Sequence, residues 1–129
     1  MVSQIKPRPD RLTKPVRRSM PESRCRRIVA ARDDGRCQRC GLLGPVSMHH
    51  RLNRSQRGQW SPENIVTLCG SGTTGCHGWV TENPRASAAD GWTVLRDLHG
   101  PDADPAGIEV ESFWGRVMYL PDGQRIEVA

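Results

Sequence analysis

Four of the five cysteines fall into two pairs, Cys37-Gln38-Arg39-Cys40 and Cys69 with Cys76, and these bracket a tandem histidine, His49-His50, and end on the dipeptide Cys76-His77. Two thiolates separated by two residues can chelate one ion from a tight knuckle, with Gly41 relieving the backbone strain. Two such pairs around three histidines suit one structural metal and a separate reactive one. With 129 residues, of which 36% are hydrophobic, the chain has room for one domain of modest core, which a zinc staple would support. It has no run of about 18 apolar residues to span a membrane. Nor does its N-terminus show the apolar stretch of a secretory signal. The expectation is therefore a cytoplasmic protein in a reducing environment, where an odd number of cysteines favours metal ligation over disulfides.

Charge is unevenly spread. Residues 1–60 hold fifteen Lys and Arg against four Asp and Glu, and residues 61–129 hold four against ten, within the overall +5. A polyanion should meet the N-terminal half, although arginine-rich stretches can also be merely solvated.

Residues 1–18, with Lys6-Pro7-Arg8-Pro9 and Lys14-Pro15 and almost nothing apolar to bury, read as a basic disordered or extended arm. Ser19-x-x-Glu22 has capping-box spacing for a helix that stops near Gly35. Cys25, Ile28, Val29 and Arg32 share a face of that helix, which makes Cys25 a core thiol rather than a ligand. Val46-Ser47-Met48-His49-His50 reads as a strand, residues 51–60 as an arginine-bearing loop, and Asn64 to Leu68 as a second strand, so a hairpin presents His49 and His50 on opposite faces. A helix beginning near Gly75 carries Cys76, His77, Trp79 and Val80, and Asn83-Pro84 to Gly91 has the signals of another. Residues 92–129 look like a β-rich extension packed on the 19–91 domain. In it, Trp92 to Leu95 reads as a strand and Phe113 to Leu120 pairs with Gln124 to Val128. No reactive constellation is visible there; Trp92 and Trp114 read as core residues and His99 as a surface histidine.

From Arg36 to about Asn83 the order C-x-x-C, His-His, Asn, Leu-Cys, Cys-His resembles the HNH endonucleases, and residues 68–80, Leu68-Cys69-Gly70-Ser71-Gly72-Thr73-Thr74-Gly75-Cys76-His77-Gly78-Trp79-Val80, look like a version common in phage-encoded members. The resemblance implies an α+β, ββα-metal (treble-clef-like) domain with a zinc knuckle. It makes His50 the general base and places His49 and His77 on the catalytic divalent ion. Asn64 becomes the residue that bridges the loop and orients the base. A neutral imidazole suits a base that activates water near neutral pH.

Each assignment has a plainer alternative. An isolated His-His pair is more often one buried and one surface histidine, and Asn64 can be a turn residue. His77 can join the cysteines, but Cys37, Cys40, Cys69 and Cys76 already complete a tetrahedral zinc shell, which leaves His77 for catalysis.

Two departures from the family pattern stand out. Six residues, Gly-Ser-Gly-Thr-Thr-Gly, separate Cys69 from Cys76, where many members have two; the insert reads as flexible enough to bring both thiolates to one ion. Thr81 stands where many members have another histidine. With two protein ligands and an open, water-rich shell, magnesium or manganese suits the catalytic site better than zinc.

The resemblance thus implies a metal-dependent DNA endonuclease, acting on double-stranded DNA and leaving 5′-phosphate and 3′-hydroxyl ends. Arg51, Arg54 and Arg57 are its candidate phosphate contacts, and phage packaging proteins are candidate partners. The alternative class is a zinc-stapled DNA-binding module without catalysis, which would have no use for a general base.

Overall fold

An antiparallel hairpin of β1 (Val46–His50) and β2 (Ile65–Cys69) organises the chain, with Val46 opposite Cys69 and His50 opposite Ile65. The computed structural model describes residues 19–128; the basic arm expected at 1–18 lies outside them. The apolar run Ile65-Val66-Thr67-Leu68 is buried throughout because helices cover both faces of β2. On one face, α1 (Glu22–Asp33) packs Cys25 and Val29 against Ile65, with Met20, Met48 and Trp60 around them. On the other, α2 (Gly75–Glu82) brings Cys76 and Val80 against Val66 and Leu68. Cys25 is fully buried in this apolar contact, and burial pushes its thiol up to about 11.

The ends of α1 differ from expectation. Pro21 takes the N-cap position, where its fixed φ is tolerated, and no capping box forms; Glu22 instead pairs with Arg26 at 2.7 Å. At the other end Asp34 turns left-handed and donates its N–H to the Ala30 carbonyl, with Gly35 following at φ 71°.

The short helices α3 (Pro84–Ala89) and α4 (Arg96–His99) follow α2. The strand expected at Trp92 to Leu95 is absent. Trp92, Thr93 and Val94 are all buried, a pattern that a half-exposed alternating strand cannot have, and Val94 N–H donates to the Arg51 carbonyl in the loop after β1. Beyond them a separate sheet forms, ordered β3 (Val110–Ser112), β4 (Gly115–Tyr119), β5 (Arg125–Glu127). The expected β4–β5 hairpin is present. Phe113 and Trp114, expected to begin or support a strand, form the exposed turn before β4, so Trp114 is not a core residue. Val110, Val117, Tyr119 and Trp92 join Val66 and Leu68 in one hydrophobic cluster. The fold is α+β, and among the described residues no helix is long and apolar enough to cross a membrane.

Two buried polar side chains tie the residues beyond 90 to the rest of the fold. Gln38 accepts from Tyr119 Oη at 2.9 Å and from Arg125 at 2.8 Å, and donates to the Arg36 carbonyl. Arg51 is fully buried; its guanidinium donates to the carbonyls of Gly91, Glu63, Pro105 and Ile108 at 2.8 to 3.1 Å. Burial lowers its pKa to about 10, which still leaves it charged at neutral pH. Truncation would leave four carbonyls, three of them in buried contacts, without this donor. Arg51→Ala should therefore lower the unfolding free energy by roughly 3–5 kcal/mol. Urea titration measures this, and a loss below about 1 kcal/mol, the scale of a single ordinary hydrogen bond, would contradict it.

Candidate functional site

The four paired cysteines meet although three separate segments carry them. Cys37 and Cys40 come from the turn after α1, Cys69 from the end of β2 and Cys76 from the first turn of α2. Their sulfurs all lie within 4.8 Å of one another, and Cys40 Sγ stands 3.8 Å from Cys69 Sγ. Sulfurs about 2.3 Å from a tetrahedral zinc are spaced by about 3.8 Å, so the cluster can hold a zinc ion. The knuckle needs Gly41: its φ is 82°, and a Cβ there would stand 2.4 Å from the Phe113 ring.

The insert between Cys69 and Cys76 is a closed turn rather than a loose tether. Ser71 N–H donates to the Thr74 carbonyl, and Thr74 N–H donates back to Ser71. Gly70, at φ 83°, approaches the Thr74 carbonyl too closely for any side chain.

Electrostatics at the cluster favour a cation. Burial pushes the Cys76 thiol up to about 12, and burial raises Cys40 as well. Burial acts the same way on Cys37, but backbone N–H groups of Cys40, Cys69 and Arg39 outweigh it and lower that thiol. Arg39 donates to Cys76 Sγ at 3.3 Å while stacking on Trp79 at 3.9 Å. A divalent ion offsets the cost of bringing thiolates together in such a cluster.

The histidines sit at the opposite end of the hairpin. Residues facing each other across β1 and β2 share a face, so His49, opposite Val66, lies on the α2 side, and His50, opposite Ile65, lies on the α1 side. Both still line one cleft of about 350 Å³ with His77, Thr81, Arg54 and Thr93. The rings of His49 and His77 stand 5.2 Å apart, centre to centre.

Hydrogen bonds fix the tautomer of both. His49 Nε2 lies 2.7 Å from the Trp92 carbonyl, which can only accept, so Nε2 carries the proton and Nδ1 keeps its lone pair. Ser47 gives its hydroxyl proton to the Gly70 carbonyl at 2.8 Å and therefore accepts from His77 Nδ1 at 2.6 Å, which leaves His77 Nε2 as the free lone pair. Burial lowers the pKa of both, that of His49 to about 4, and neutral imidazoles are the form that ligates metal. The two nitrogens are thus suited to a divalent ion. Thr81 adds no histidine, and its hydroxyl is turned back onto the His77 carbonyl at 3.0 Å.

His50 packs edge-on against Trp60 at 4.6 Å, and the Arg26 guanidinium lies over the Trp60 ring at 4.8 Å. Its Nε2 is buried with no hydrogen-bond partner among the described residues. Burial first, and then the nearby Arg54 charge, lower its pKa, so it is neutral at physiological pH.

Asn64 ties the loop after His50 to its own far end. Its Oδ1 accepts from Leu52 N–H at 2.8 Å, and its Nδ2 donates to the carbonyls of Leu52 and Gln59. Arg54 and Arg57 are exposed on that loop. Arg51 is not: with its guanidinium spent on four carbonyls inside the fold it cannot reach a phosphate, which corrects the expectation that grouped it with them.

Ser47, Trp60 and the Trp92 carbonyl were missed in the sequence. Only Ser47 left a signal, two residues before His49 on the same strand face.

Residues 37–78 match the family model described as HNH endonuclease, a nuclease-type DNA-binding domain, and the four-cysteine cluster falls within that span. No curated protein and no solved structure matches the chain.

Two measurements follow. Purified protein should carry one zinc per chain by elemental analysis, and Cys37→Ser or Cys76→Ser should lose it together with stable folding, because structural zinc contributes folding free energy directly. Well-folded protein without zinc would contradict this. The second concerns acid. His49 is depressed to about 4 in the fold against 6.5 unfolded, so its contribution to stability is present above pH 6.5 and is lost as pH falls from 6.5 through 4. In denaturant titrations across that window His49→Gln should lose less stability than wild type. Parallel pH dependences would rule out the buried neutral imidazole.

Proposed function

We propose that this chain, which carries an HNH-family domain over residues 37–78, is a metal-dependent endonuclease that hydrolyses phosphodiester bonds of double-stranded DNA. The observation that carries the reading is the cleft, where two tautomer-fixed imidazoles stand beside a third, unligated and neutral one. A binding module has no use for that third group.

His49 Nδ1 and His77 Nε2 would hold the divalent ion, magnesium or manganese, with water and phosphate oxygens completing its shell. Bound there, such an ion supplies positive charge for the scissile phosphate and the leaving oxygen. His50 takes the proton from the attacking water, and the low pKa set by burial keeps it ready to do so at neutral pH. The P–O3′ bond breaks in line as the water oxygen bonds to phosphorus, and the leaving 3′-oxygen takes a proton from solvent, giving 5′-phosphate and 3′-hydroxyl ends. Asn64 holds the loop that follows the base, and Trp60 limits the rotation of His50 from one side. Arg54 and Arg57 take neighbouring phosphates, and residues 1–18 add sequence-independent attraction to DNA. The four cysteines hold a structural zinc. Their free thiols fit a reducing cytoplasm, and phage origin with packaging proteins as partners rests on the sequence resemblance of the 68–80 segment.

Supercoiled plasmid should be nicked or cut in magnesium or manganese, and chelator should stop it. His50→Ala should lower the rate by about 100-fold or more while DNA binding persists, the scale of losing a positioned base. His49→Ala or His77→Ala should also weaken binding of the divalent ion. Cleavage by His50→Ala near the wild-type rate would overturn the assignment of the base, and no cleavage in any divalent metal would overturn the enzyme.

A further inference from the structure

A second hollow, of about 450 Å³, lies on the other side of the wall that bounds the histidine cleft. Asn53, Arg54 and Thr93 line the cleft, and their chain neighbours Leu52 and Val94 floor this hollow. The same two backbone stretches therefore face both spaces, and the Val94 N–H to Arg51 carbonyl bond holds them together.

Its chemistry is divided in a telling way. Leu52 and Val94 are 8% and 2% exposed and present an apolar floor. Arg57 and Arg96 stand at the rim, and among the described residues no carboxylate forms an ion pair with either; Arg96 makes only a long 3.4 Å contact to the Gln56 carbonyl. Arg57 holds its place at a φ of 73°, a conformation uncommon for a residue with a Cβ. The Gln56 amide and the Asp102 carboxylate supply both donors and acceptors around the edge.

Two guanidiniums outside any ion pair among the described residues suit an anion, the aliphatic floor suits an apolar body, and the polar edge suits groups that donate and accept. A nucleotide satisfies all three at once. The geometry points to a subsite that takes one unstacked nucleotide of the bound strand, adjacent to the phosphate in the histidine cleft, with its base on Leu52 and Val94 and its phosphate on Arg57 and Arg96. This rests on the nuclease reading for the identity of the strand. It adds that the enzyme removes a base from its stack beside the cut, at a cost in unstacking that the pocket must repay.

The probe is the set of four deoxynucleoside 5′-monophosphates, titrated separately into zinc-loaded full-length His50→Ala protein, with backbone amide shifts as the readout and inorganic phosphate as a control. Saturable shifts at Leu52, Val94 and Ala103, stronger for at least one nucleotide than for phosphate, are expected. Arg96→Ala should weaken that binding by about tenfold, the scale of one charge-assisted hydrogen bond. Ala103→Trp, which fills the hollow from a half-exposed position, should abolish it. Both variants alter the outer rim, and amide dispersion like that of the parent confirms that they fold.

Equal affinity for inorganic phosphate, shifts confined to His49 and His77, or unchanged affinity in both variants would overturn the subsite. Plasmid cleavage by wild type, run in parallel, separates the two readings. Cleavage without pocket shifts overturns the subsite alone, whereas pocket shifts without cleavage support a nucleotide site and overturn the nuclease.

Discussion

The register between β1 and β2 fixes both chemical centres at once. With Val46 opposite Cys69 and His50 opposite Ile65, one end of the hairpin delivers a sulfur to the cysteine cluster and the other sets two imidazoles on opposite faces. A slip of one residue would exchange the faces of His49 and His50 and would also turn Ser47 away from His77. The register is held by burial: Ile65 and Thr67 face α1, Val66 and Leu68 face α2, and a slipped β2 would exchange those contacts. The sulfur cluster reinforces this from outside the ladder, because it joins the end of β2 to the knuckle and to the start of α2.

A chain with so few large apolar residues relies on polar groups to do what a larger core would do. Arg51, Gln38 and Asn64 are each buried and each bonds a segment distant in sequence, Arg51 and Asn64 through backbone groups and Gln38 through the Tyr119 and Arg125 side chains. Such contacts add less net stability than their number suggests, since water is given up to make them. Their effect is on uniqueness: any other packing would leave a buried guanidinium or amide without partners, at a cost of several kcal/mol.

Local spacing made much of this legible. The C-x-x-C knuckle, the strand ending at His50 and the helix from Gly75 all depend on neighbours within a few residues, and each appears where the sequence indicates. Arg51 could not be read that way. In sequence it is the first of three arginines in a polar loop, and only the carbonyls of Gly91, Pro105 and Ile108, supplied from 40 to 57 residues away, turn it inward. Trp92 to Leu95 failed for a related reason. Its β-prone residues are buried on every side by tertiary packing, so propensity had no edge on which to act. The capping box at Ser19 lost to Pro21, whose ring already fits the position before the first helical turn.

The segment after α3 then changes what counts as the site. The Trp92 carbonyl selects the tautomer of His49, Thr93 lines the histidine cleft, and Val94 floors the hollow behind it. Three consecutive residues thus serve the cleft and the hollow, and none lies inside the span that matches the family model, 37–78. Their placement depends on Arg51, which receives Val94 N–H at its own carbonyl and holds Gly91 with its guanidinium. The turn that leads into β3 secures the other side of that guanidinium through the Pro105 and Ile108 carbonyls. The residues beyond 91 are therefore part of the cleft's geometry. A fragment ending at 91 would keep the four cysteines and all three cleft histidines, yet His49 would lose the Trp92 carbonyl, the acceptor that fixes its ring and leaves Nδ1 unprotonated.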